Sequence, residues 1–376
     1  MTTRLVGTNP FGTSGYDCHT NSLFHALWEF TQDVKLDVPL QPGWQRFASD
    51  AIYNAVNKQS DIENDTVISI MQPPFWKFPL SDKPKKFYGY CIWEGERIPK
   101  DWLTYLLDPR VDGILVPSQH VKDAIINTIN SLDEPASGLY RFNGLISKIH
   151  KVPHGVDLSK FSPQEKDTDN FVFVCNKGYN PMNGMNDRGG VQFLLKAFNE
   201  EFKEDEKVEL RIKLNPAYLP PNINLHGVFN SLGIEPKNNI KFNWSAIEYK
   251  YMKEFYKGDV FISTSMADAA NIPILEALAC GLPVITTNFG GMTDFIDDYN
   301  GWLIGGELKE VKGDLQHENN RWLTPDINEI RKVLRHCFNN REEVIQKGKK
   351  ALESAQSLTW RKSASKLLKV ISSNSQ

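Results

Sequence analysis

Cysteine is scarce and scattered in this chain. The five cysteines, Cys18, Cys91, Cys175, Cys280 and Cys337, form no CxxC pair and are odd in number. Neither a disulfide framework nor a zinc site is expected, and the thiols read as reduced and buried, as in a cytoplasmic protein. Long apolar runs are also missing. No stretch is long enough to cross a bilayer, and the opening "MTTRLVGTNP" has no apolar centre for a signal peptide. There is no surplus of positive charge: 43 Lys and Arg face 46 Asp and Glu, a net charge of −3. Nucleic acid is therefore not an expected partner. No G-x-G-x-x-G follows a first strand, which disfavours a nicotinamide dehydrogenase, and there is no Walker loop, nucleophile elbow or zinc motif. His19, His25, His120 and His150 lack metal-ligand spacing. Internal repeats and low-complexity segments are absent.

What is present is ordinary in composition and regular in pattern. Hydrophobic residues make up 40% and charged residues 24% of 376 residues, enough for two α/β domains. Short Val- and Ile-rich runs read as buried strands: Thr66 to Met71, Val111 to Pro117, Asn170 to Cys175, Val208 to Leu214, Asp259 to Thr264 and Pro283 to Thr287. Helical patterns alternate with them. Ser118 is placed to cap one helix, Ser245 and Glu248 to form a capping box before another, and Thr324 with Pro325 to open a third. Strand–helix alternation predicts parallel sheets covered on both faces. The polar segment Val152 to Asn170 reads as the boundary between two Rossmann-like halves. Trp360, Ala364, Leu367, Leu368 and Ile371 share one stripe of a last helix, which must pack against something, the first domain being the natural candidate. Basic residues outnumber acids from about Lys347 onward. That excess reads as a solvated helix face, with peripheral membrane contact as the other reading.

The segment "DAANIPILEALACGLPVITTNFGG" carries the chemistry. Asp268 follows a predicted strand, and Asn271, Ile272 and Pro273 turn the chain into a helix. Pro273 suits the first helical turn, and the free N–H groups there suit a phosphate. Glu276 lies about one turn further in, where a carboxylate can accept two ribose hydroxyls. Acid, phosphate-binding turn, acid is the layout for a sugar–diphosphate–nucleoside, beyond the carboxyl ends of the strands where such sheets bind ligands.

These residues resemble the signature of family-4 retaining glycosyltransferases, E-G-F-G-x-P-x-x-E-A-x-A-x-G-x-P-V-I followed by a Gly-Gly pair. Glu276, Ala277, Ala279, Gly281, Pro283, Val284 and Ile285 match, and Gly290-Gly291 supplies the pair. Asp268 replaces the first Glu, and Asn271 replaces a Gly, which Asn can follow into the left-handed region. "ILVPSQHVKDAI", "KIHKVPHGVDLSKFSP", "FVFVCNKG" and "DRGGVQFLLKAF" resemble further family stretches in family order. The resemblance implies a GT-B fold: two Rossmann-like domains, 1–160 for the acceptor and 161–355 for the nucleotide sugar, facing each other across a cleft, with helix 356–376 crossing back to the first.

It also implies roles. Lys177 and Arg188 stand approximately where the family has its basic residues at the leaving diphosphate, with an enlarged loop "YNPMNGMND" between them, and plain surface charges are the other reading. Gly15 with Gly12 resembles its glycine loop, and Asp268 the acid that orients the donor sugar. Glu94, in "CIWEGERIPKDW", resembles a Trp-Glu stretch at the cleft of some members, so acceptor contact and plain structural pairing both stand. The implied activity is metal-independent transfer of a sugar, with retention, from a nucleotide-diphosphate sugar to a glycan or glycoconjugate hydroxyl, with no cofactor. The "DTD" at Asp167 to Asp169 reads as linker. A non-catalytic nucleotide-sugar or glycan binder on the same fold is the rival, motivated by Asp268, and turnover separates the two.

Overall fold

The computed structural model describes residues 2–76, 84–132, 136–220, 224–235, 237–245, 247–312 and 320–373. The chain divides into two compact units, residues 1–155 with 358–376, and residues 156–357.

The first unit is built on a parallel sheet of β1 (Thr3–Val6), β2 (Val34–Asp37), β3 (Thr66–Ser69), β4 (Lys86–Tyr90), β5 (Gly113–Val116) and β6 (Ile149–Lys151), in the order β2-β1-β3-β4-β5-β6. Ser118 caps the Gln119–Asn130 helix, its hydroxyl accepting the Val121 N–H. The last helix, Trp360–Ser373, belongs to this unit and packs on the Gly15–Trp28 helix. Trp360, Ala364, Leu367 and Ile371 of the predicted stripe are buried. Gly155 has to be glycine here, because a Cβ would lie 2.2 Å from the Trp360 nitrogen.

The second unit holds β7 (Phe171–Lys177), β8 (Val208–Leu214), β9 (Ile240–Asn243), β10 (Val260–Ser263), β11 (Val284–Thr287) and β12 (Gly301–Ile304). Their order is β12-β11-β10-β7-β8-β9, all parallel. Strand order reverses between β7 and β10, so the switch point of this doubly wound sheet lies where those two strands end. Phe171, Phe173, Phe198 and Phe202 fill the core, Phe173 meeting Phe171 and Phe198 edge-on and Phe198 meeting Phe202 at a tilt.

Two local expectations are corrected. Thr324 and Pro325 lie in β14 (Arg321–Pro325), which pairs antiparallel with β13 (Gly306–Glu310). The cap of the following helix is Asp326, whose carboxylate accepts from the Asn328 and Glu329 N–H groups. Nor do Ser245 and Glu248 form a capping box. The Ser245 hydroxyl donates to Asn243 Oδ1 at 2.7 Å, and Tyr249–Tyr256 is a 3-10 segment rather than an α-helix. In both places a side chain closer in sequence captured the polar group first.

Candidate functional site

β10 is buried throughout and delivers the chain to the carboxyl edge of its sheet. The next residues are fastened to the loop after β7. The Thr264 hydroxyl donates to the Gly190 carbonyl at 2.8 Å, and the Met266 N–H to the Arg188 carbonyl at 3.0 Å. Gly190 has φ +77°, and a Cβ there would lie 1.8 Å from the Thr264 oxygen. Only glycine permits that approach. This contact brings the two loops of the switch point together.

Asp268 lies at their junction. Its Oδ2 is 2.5 Å from Lys177 Nζ, at the end of β7, and its Oδ1 accepts from the Ala270 and Asn271 N–H groups at 3.3 and 3.0 Å. Arg188 comes alongside, donating through Nη1 to the Ala267 carbonyl at 2.9 Å. Burial alone would raise the Asp268 pKa. The Lys177 ammonium, the Arg188 guanidinium and the hydrogen bonds outweigh it and hold the carboxyl below its ordinary value. The Gly290-Gly291 pair closes the loop from the other side: the Gly291 N–H donates to the Asp268 carbonyl at 2.9 Å, and a Cβ on Gly290 would lie 2.7 Å from that oxygen.

Asn271 takes φ +59°, the one non-glycine residue in that region among the described residues. Asp268 stabilises this turn from one side. From the other, Asn271 Nδ2 donates to the Ser263 hydroxyl at 3.0 Å. The Ile272–Ala279 helix starts at once, with Pro273 in its first turn. Two cations beside a helix N-terminus make an environment that attracts an anion.

Glu276 projects from this helix into a buried polar chain. Tyr256 donates a short hydrogen bond to its Oε2, Tyr249 bonds it as well, and Asn176 Nδ2 donates to the Tyr256 hydroxyl at 3.1 Å. Burial raises the Glu276 pKa, and the two tyrosine hydrogen bonds oppose that rise. Phe161 packs edge-on against both tyrosine rings.

Lys177, Arg188, Asp268, Asn271, Ile272 and Pro273 thus come together, with Glu276 one helical turn away. Gly15 and Glu94 lie in the other unit. Gly15 opens a helix capped by Ser14, with open space in its Cβ direction. Asp17 puts a carboxylate in the first turn of that helix, in a capping box with Ser14, and a Cβ on Gly12 would lie 2.2 Å from its oxygen. Glu94 follows β4; its carbonyl accepts from His120 Nε2 at 2.8 Å, beside the edge-on Trp93 and Trp102 rings. Asp167 of the "DTD" linker pairs with Arg211 at 2.8 Å. Among the described residues no helix is long and apolar enough to cross a membrane. Tyr249, Tyr256 and Asn176 were not anticipated. The signals available were the seven-residue spacing of two tyrosines and an amide beside Lys177 at a strand end.

Comparison with known proteins places this geometry. Residues 230–312, which span Asp268 to Gly291, match the family described as glycosyl transferases group 1. D-inositol 3-phosphate glycosyltransferase 2 of Catenulispora acidiphila is 26% identical over 217 residues, 53% of this chain and 49% of the relative. Alpha-monoglucosyldiacylglycerol synthase of Streptococcus pneumoniae is 25% identical over 229 residues, 56% of this chain and 46% of the relative. The chain spans about half the length of the curated relatives it matches. The crystal structure of Anabaena HepE in complex with UDP superposes with a TM-score of 0.65 at 15% identity, covering 99% of this chain and all of that one. The chain has the GT-B fold, and its residues 230–312 are similar to glycosyl transferases group 1.

Proposed function

We propose that the protein is a family-4 retaining glycosyltransferase, independent of metal, moving a sugar from a nucleoside-diphosphate sugar to a hydroxyl of a glycan or glycoconjugate in the cytoplasm. The observation that carries this reading is the convergence of Lys177, Arg188 and the Asn271 turn on Asp268 at the switch point. The UDP held by Anabaena HepE and the glycosyltransferase among the curated relatives support it, and make UDP the first nucleotide to try.

The chemistry follows from where charge develops. As the bond from the sugar's anomeric carbon to the phosphate oxygen breaks, the diphosphate gains negative charge. Lys177, Arg188 and the helix N-terminus stabilise that charge in the role a metal ion fills elsewhere. Lys177 exchanges Asp268 for the phosphates, and the freed Oδ2 takes a hydroxyl of the donor sugar. Glu276 exchanges its tyrosine partners for the ribose hydroxyls. The departing phosphate oxygen removes the acceptor's proton as the new bond from the anomeric carbon forms on the same face. The experiment is a transfer assay over a panel of nucleotide sugars and acceptors in the presence of EDTA. Turnover with retained configuration supports the reading. Strict dependence on a divalent ion contradicts metal independence, and binding without turnover turns the protein into a binder.

A further inference from the structure

Two lysines are buried among the described residues, Lys213 and Lys347. Lys347 is answered by acid, its ammonium lying 3.4 Å from Asp298 and 3.9 Å from Glu343. Lys213, 5% exposed, has no ion pair among the described residues. Its ammonium donates to the carbonyl of the next residue, Leu214, at 2.8 Å.

The surroundings of β8 sharpen the contrast. Arg211, two residues earlier and so on the same face of the strand, is held by Glu209 at 2.6 Å and Asp167 at 2.8 Å. The register partners of Lys213 on the neighbouring strands are neutral amides, Asn176 and Asn243. The chain thus answers the mid-strand cation twice and leaves the cation at the carboxyl edge without a counter-charge. Burying an ammonium in that way is costly, and burial lowers the Lys213 pKa with no charged neighbour to oppose it.

Its location suggests what offsets that cost. The loop after β8 packs on the end of β7: the Asn215 N–H donates to the Lys177 carbonyl at 3.1 Å, and a Cβ on Gly178 would lie 2.9 Å from the Tyr218 ring. Lys213 therefore shares the carboxyl edge with Lys177, one strand further from the switch point. Its register partner is Asn176 rather than Lys177, so the two lysines leave their strands on alternate faces and can meet a common ligand only beyond the strand ends. An ammonium has three donors, of which Leu214 takes one. We propose that Lys213 is a third cation of the anion pocket, and that its counter-charge arrives with the ligand as a phosphate oxygen of a nucleoside diphosphate. This rests on the donor-site reading above and adds a residue to it.

The test is calorimetric titration of the full chain and of Lys213→Met with UDP, GDP and ADP, with the matching nucleosides and with pyrophosphate. Thermal unfolding of both ligand-free proteins runs alongside. Methionine keeps most of the stem and removes the charge. The expected result is at least about tenfold weaker binding of the preferred diphosphate and of pyrophosphate by the variant. Nucleoside affinity stays unchanged, and the ligand-free variant unfolds at the same or a higher temperature. Equal diphosphate affinity in the two proteins overturns the proposal, whatever the unfolding temperature. A loss equally large for the nucleoside also overturns it, because the contact would then be to ribose or base. If the Met variant does not fold, Lys213→Gln, which keeps a donor for Leu214, carries the same comparison. Wild-type protein that binds none of these ligands contradicts the donor-site reading itself, and this proposal with it. Wild-type binding that Lys213→Met leaves intact contradicts this proposal alone.

Discussion

Lys177 and Asp268, 91 residues apart in sequence, meet at 2.5 Å across the switch point of the second sheet. The acid of the donor-site motif is thus paired with the cation expected to hold the donor's diphosphate. On the proposed function, a ligand phosphate has to compete with Asp268 for Lys177, and the carboxylate opposes a bare diphosphate by like charge.

Asp268→Asn separates these effects. The amide keeps an oxygen for the Ala270 and Asn271 N–H groups, so the left-handed turn survives, while the ion pair is lost. Affinity for the nucleoside diphosphate should stay the same or tighten, by up to about tenfold, or about 1.4 kcal/mol. Transfer should fall by at least two orders of magnitude, about 2.7 kcal/mol of transition-state stabilisation. Titration and initial rates measure the two. A variant that loses nucleotide affinity together with rate would make the carboxylate a structural support of the pocket.

Glu276 and Tyr256 should part company in the same assays. Glu276→Ala removes the acceptor proposed for the ribose hydroxyls and should weaken nucleotide binding by roughly 1.5–3 kcal/mol per lost bond. Tyr256→Phe leaves the carboxylate in place but strips its buried hydroxyl partner. It should lower stability to urea by roughly 1–3 kcal/mol with a smaller effect on affinity. Unchanged nucleotide affinity in a folded Glu276→Ala protein would remove Glu276 from the donor site.

A pH dependence is built into the first unit. His19 is buried against Tyr90, His154 and Trp360, and neither of its ring nitrogens has a hydrogen-bond partner among the described residues. Burial, and secondarily His154, hold its pKa well below 6.5. Above the unfolded value the imidazole is neutral in both states. As pH falls below about 6.5 the unfolded chain takes up a proton that the folded one refuses, so stability drops until the folded pKa is reached. The slope from this group approaches about 1.4 kcal/mol per pH unit. Urea unfolding at pH 7, 6 and 5 should show that loss, and His19→Phe should flatten it; an equal slope in the variant would assign the loss to other groups.

The sequence was most legible where one residue type answers one physical need. Buried strands such as Val260–Ser263 appear as short apolar runs, and the acid–turn–acid spacing from Asp268 to Glu276 could be read without coordinates. Short or mixed strands could not. Thr3–Val6 contains an arginine, and Gly306–Glu310 is exposed along its whole length, so neither carries an apolar signature. The two tyrosines at Glu276 and the uncompensated Lys213 were hidden for another reason. Their meaning lies in which groups from distant segments do or do not reach them, and spacing along the chain says nothing of that.

The central claim is sugar transfer with retention, driven by cations at the switch point. The direct measurement is proton NMR of the anomeric signals during reaction of UDP-, GDP- and ADP-sugars with candidate acceptors in EDTA. Wild-type protein and Lys177→Met are run side by side. The account predicts that one donor is consumed by the wild type, that the product's anomeric proton keeps the donor's configuration, and that Lys177→Met is slower by at least about a hundredfold. Inverted configuration, or equal rates in the two proteins, would contradict it.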